Sequence, residues 1–74
     1  MNNIIPFTLR LRRLLDERNI SIRQFSNDTS IDPHIFYEKN RRYRKATLMA
    51  IAYYLGITVE DIVNGTEAAD YWYF

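Results

Sequence analysis

The chain has no cysteine, one histidine, two glycines and two prolines in 74 residues. Without cysteine there are no disulfide staples, thiolate metal sites or thiol nucleophiles. A single imidazole, His34, excludes a multi-histidine metal site. Gly56 and Gly65 lie nine residues apart, too few and too scattered for a glycine-rich phosphate loop. The longest uncharged apolar stretch, Ala46 to Val59, is shorter than the roughly 18 residues a membrane span needs, and it contains Thr47, Gly56 and Thr58. The first residues, MNNIIPF, lack the basic and apolar regions of a signal peptide. No nucleophile, base and orienting group can be assembled, so the expectation is a non-enzymatic cytoplasmic protein. No cofactor, metal or small-molecule ligand is expected.

What is present is globular. The sequence is 47% apolar, 15% aromatic and 26% charged, with mean hydropathy −0.35, which fits one small domain rather than a disordered chain. The net charge of +1 hides a division along the chain. All ten basic residues lie within positions 1–45, against five acids, a balance of +5; positions 46–74 carry four acids and no base. One end of such a chain attracts an anion and the other repels it. The densest cluster is Lys39-Asn40-Arg41-Arg42-Tyr43-Arg44-Lys45.

The apolar spacing is helical throughout, and no period-two strand pattern competes. Phe7, Leu11, Leu14 and Leu15 mark a first helix after Pro6, with Asn19 suited to end it left-handed. Ser21 caps a second, Ile22 to Asp28, anchored by Phe25. Asp32-Pro33 starts a third helix expected to reach Arg41 or Arg42, with Ile35, Phe36 and Lys39 inward and His34, Tyr37, Glu38 and Arg41 outward. A fourth begins near Ala46 or Thr47, buries Leu48, Ile51, Ala52 and Leu55, and stops at Gly56. Thr58 caps a fifth, Val59 to Asn64, closed by Gly65; Thr66 opens a last turn or two toward Phe74. Two helices joined by a very short turn, with another packed before them, form a helix-turn-helix layout.

The order Leu11, Leu14, Arg18-Asn19-Ile20-Ser21, Phe25-Ser26, Ile31-Asp32, Phe36 resembles the Cro/lambda-repressor-type (XRE-like) family. The run from Thr47-Leu48 through Ile51-Ala52-Tyr53-Tyr54-Leu55-Gly56-Ile57-Thr58-Val59-Glu60-Asp61-Ile62-Val63 is similar to the family's fourth and fifth helices. The resemblance implies an all-α, five-helix helix-turn-helix bundle over residues 1–65, followed by a short aromatic tail or extra helical turn at 66–74. It further implies a sequence-specific regulator of transcription, a repressor that binds double-stranded DNA as a homodimer on a two-fold operator. Carried over by position, Pro33, His34, Tyr37, Glu38 and Arg41 would face base edges. Ser21, Arg23, Lys39, Asn40, Arg42, Arg44 and Lys45 would hold phosphates.

Three departures stand out. The chain has Ile22 where the family often has glutamine, and Ser30 where it has a turn glycine. The connection between the third and fourth expected helices is also shorter than usual. A left-handed Ser30 would cost about 1–2 kcal/mol, so a turn of different shape is expected. Tyr43 would either pack on a sugar or cover the short connection. The aromatic end, Tyr71-Trp72-Tyr73-Phe74, either folds back on the core or, with Tyr53 and Tyr54, forms a self-association surface. The alternative function is a protein-interaction or antitoxin-like module on the same scaffold, working through that aromatic tail.

Overall fold

A computed structural model describes residues 4–37 and 43–72. Four α-helices appear among them: α1, Phe7–Glu17; α2, Ile22–Thr29; α3, Lys45–Leu55; and α4, Val59–Val63. Two 3-10 turns, Pro33–Phe36 and Glu67–Asp70, complete the regular structure. The all-α bundle is as expected, and its boundaries follow local chemistry. Asn19 closes α1 at φ 56° and Gly56 ends α3 at φ 72°. The Ser21 hydroxyl accepts the Gln24 N–H at the head of α2. Thr58 and Asp61 form a reciprocal capping box on α4, each side chain accepting the other residue's N–H.

The third expected helix needs correction. Among the described residues it is one 3-10 turn, ended at Tyr37, and its bonds span three residues: Ile35 N–H to the Asp32 carbonyl and Tyr37 N–H to that of His34. The reason is tertiary. In an α-helix the Ile35 carbonyl would take the N–H four positions on; here it accepts the hydroxyl of Tyr43, at 3.0 Å. Glu38, Lys39, Asn40, Arg41 and Arg42, expected to continue this helix, lie outside the described residues, as do Tyr73 and Phe74.

One core joins all the elements. Phe7, Leu11, Leu14 and Leu15 of α1 meet Phe25, Ile35 and Phe36, the inner side of α3 and all three apolar residues of α4. Phe25 stands edge-on to both Phe36 and Tyr54, with centroids 5.6 Å apart in each pair. Tyr43 is 6% exposed and stacks on Phe7 at 4.4 Å, so it belongs to the core and does not offer its ring to a sugar.

The residues after Gly65 are tied to the start of the chain. Ile5 donates its N–H to the Gly65 carbonyl, and the Glu67 carboxylate accepts the first free amide of α1, Phe7 N–H, at 3.0 and 3.2 Å. Pro6 offers no side-chain cap, so a carboxylate 60 positions away satisfies the positive end of α1. Tyr71 and Trp72 pack half-buried on the core.

Candidate nucleic-acid interface

The segment from Ser21 to Tyr37 is a helix, a tight turn and a second short helical piece. The turn keeps the left-handed form that a glycine would adopt, since Ser30 sits at φ 62° and ψ 19°. The shape expected to change is therefore retained. Its polar backbone is satisfied locally: Ser30 N–H reaches the Ser26 carbonyl, and Thr29 Oγ1 donates to the Phe25 carbonyl while accepting Ile31 N–H. Ile31 plugs the turn against the core. Ile22, where a glutamine would offer an amide, also packs against the core.

Asp32 and His34 form one unit. Asp32 Oδ1 accepts the His34 backbone N–H at 2.9 Å and lies 2.6 Å from His34 Nδ1. This cap holds the imidazole, whose side chain is 71% exposed. With the Nδ1 proton held toward the carboxylate, Nε2 remains for an outside partner. A neutral ring offers an acceptor there and a protonated ring a donor. Pro33 is exposed beside it.

Tyr37 is 62% exposed, and the Arg12 guanidinium lies over its ring, 5.3 Å from the centroid. Arg12 also lines a surface depression with Leu15, Asp16, Ile20, Ser21 and Ile22. A residue of α1 thus stands between the head of α2 and the exposed tyrosine. Arg12 had no place among the expected site residues. Its only sequence signal is a positive charge inside an apolar helix, and nothing local distinguishes it from Arg10 or Arg13.

Ser21, Arg23, Arg44 and Lys45 are all exposed. Among the described residues no ion pair involves Arg23, Arg44 or Lys45, whereas several carboxylates are engaged in capping or with neighbours. Asp32 caps the 3-10 turn, Asp61 caps α4, Glu67 caps α1, and Asp28 accepts the Tyr54 hydroxyl at 2.6 Å. That bond, with some desolvation and the nearby negative charge, raises the Tyr54 pKa above its usual value.

Of the residues expected at a self-association surface, Tyr53 is 91% exposed. Tyr54 is half-buried against Phe25. The Tyr71 hydroxyl accepts Tyr43 N–H at 3.1 Å, and Trp72 lines a depression with Glu60, Asp61, Val63, Asn64 and Ala69. No group of three or more metal-ligating side chains occurs among the described residues. No described helix is long and apolar enough to cross a membrane.

A three-sided core carrying an exposed helix, turn and helical piece defines a helix-turn-helix DNA-binding domain. A family model for the Cro/C1-type HTH DNA-binding domain matches residues 10–66, and the chain belongs to that family. No curated protein and no solved structure gives a significant match.

Proposed function

We propose that the protein is a sequence-specific regulator of transcription, a cytoplasmic repressor that binds a two-fold operator as a homodimer. It works by binding and carries no catalysis. The observation that supports this most directly is the exposed edge formed by Arg23, His34 and Tyr37, with Arg12 beneath the tyrosine and the local carboxylates already engaged. In this reading the segment beginning at Pro33 enters the major groove. Pro33, His34 and Tyr37, followed by Glu38 and Arg41, approach base edges, where imidazole nitrogens and a phenol match the donors and acceptors displayed. Ser21 and Arg23 at the head of α2 hold phosphates on one side. Arg44 and Lys45, with Lys39, Asn40 and Arg42, hold them on the other.

Selection of binding sites from random duplex DNA, followed by titration of variants, tests the reading. His34→Ala or Tyr37→Phe should relax preference at particular base positions by about 1–3 kcal/mol. Arg23→Ala and Lys45→Ala should weaken binding to every sequence and each lower the salt dependence by about one phosphate contact. Unchanged sequence preference in both the His34 and Tyr37 variants would show that the reading element lies elsewhere.

A further inference from the structure

Helix α3 is apolar on two opposite sides. Leu48, Ile51, Ala52 and Leu55 are buried in the core. Ala46, Met49, Ala50 and Tyr53 are exposed, and they recur at intervals of three and four, which aligns them in one stripe facing away from the buried set. Met49 is 53% and Tyr53 91% exposed. No charged residue occurs from position 46 to 59. A helix apolar all round is ordinarily covered all round, and here the chain covers only half of it.

We propose that the stripe is the contact with a second copy of this chain, α3 packing antiparallel on α3 about a two-fold axis. The stripe is complementary to itself in that arrangement alone. Centred between Met49 and Ala50, it sets Met49 against Ala50 of the second copy and Tyr53 against Ala46. Every large side chain then meets a small one, as close helix packing requires. Charge selects the same direction. Arg44 and Lys45 precede the stripe and Glu60 and Asp61 follow it, so antiparallel helices bring unlike ends together and oppose their dipoles, whereas parallel helices bring like ends together. The contact is isologous and closes at two copies. It also relocates the expected self-association surface: of Tyr53, Tyr54, Tyr71 and Trp72, only Tyr53 is fully exposed.

This inference rests on the homodimer part of the reading above and is independent of DNA binding. Four side chains per copy cover less than the about 800 Å² per partner of a standard interface, so the expected association is micromolar. Sedimentation equilibrium of the full chain without DNA, from about 1 to 500 µM, should show a monomer–dimer equilibrium. Tyr53→Asp and Met49→Glu, both at exposed positions and checked for native helicity by circular dichroism, should each weaken it at least tenfold, and Glu60→Lys should weaken it less. If both stripe variants dimerise like the parent while Tyr73→Ser with Phe74→Ser does not, the contact lies in the tail: this surface is overturned and the dimer stands. A parent chain that stays monomeric throughout overturns surface and dimer together, while the site-selection experiment still reports separately on the DNA-reading edge.

Discussion

Replacing Tyr43 by phenylalanine removes one oxygen from the side chain that ties three separated parts of the chain together. Its ring packs on Phe7 of α1, its N–H donates to the Tyr71 hydroxyl, and its own hydroxyl donates to the buried Ile35 carbonyl. Phenylalanine keeps the first two contacts and loses the third. Ile35 is 2% exposed, so water does not readily replace the lost donor. Leaving a buried carbonyl short of a partner costs about 1–3 kcal/mol. In a domain this small each kcal/mol moves the midpoint by about 4–8 °C, so a mid-range loss lowers Tm by about 6–12 °C. Thermal melts by circular dichroism, paired with urea titrations in which the midpoint falls at constant slope, measure it. Tyr37→Phe is the control: that hydroxyl belongs to an exposed residue, and its loss should change stability by less than about 0.5 kcal/mol. A Tyr43→Phe protein as stable as the parent would refute the account of the turn. If it also bound DNA more weakly, the hydroxyl would belong to the DNA interface after all.

Two further outcomes follow from single contacts. Glu67→Gln weakens the cap that the carboxylate places on α1, and urea unfolding should show a loss of about 0.5–1.5 kcal/mol, combining capping and helix-dipole contributions; an unchanged midpoint would mean that Phe7 N–H is satisfied without it. The raised pKa of Tyr54, caused first by its bond to Asp28, makes the folded state hold this proton more tightly than the unfolded chain. Its contribution is therefore fully present below about pH 10, the unfolded value, and disappears as pH rises through the higher folded value. Tyr54→Phe should flatten the alkaline fall in Tm, and a parallel fall in both proteins would remove Tyr54 as its cause.

Much of the fold was legible because its boundaries are written within three or four residues. Ser21, Thr58 and Thr66 each accept an N–H two or three positions ahead, and Asn19, Gly56 and Gly65 take the left-handed conformation their chemistry favours. The buried residues of α1 and α3 follow a helical period that needs no knowledge of what they touch. What escaped depends on partners distant in sequence. A proline preceded by aspartate starts a 3-10 turn or an α-helix equally well, and the Tyr43 hydroxyl eight positions on marks the difference. The same holds for Glu67 on Phe7, across 60 positions, and for Arg12 over Tyr37.

That division between near and far contacts also explains why a chain of net charge +1 can present itself to a polyanion. Charge counted along the sequence treats every carboxylate alike, but capping binds several of them to backbone N–H groups. Asp32 is the telling case, since it lies in the segment proposed to meet DNA and would be repelled as an isolated carboxylate. Its Oδ1 instead accepts the His34 N–H and touches the imidazole, so part of its charge is offset by the dipoles it caps. Arg23, Arg44 and Lys45 have no carboxylate partner among the described residues and keep their full charge for phosphate. Removing the cap by Asp32→Ala would delete a negative charge and yet disorder the histidine it holds. Affinity for non-specific DNA and preference for the operator should therefore move in opposite directions, which simple charge counting does not anticipate.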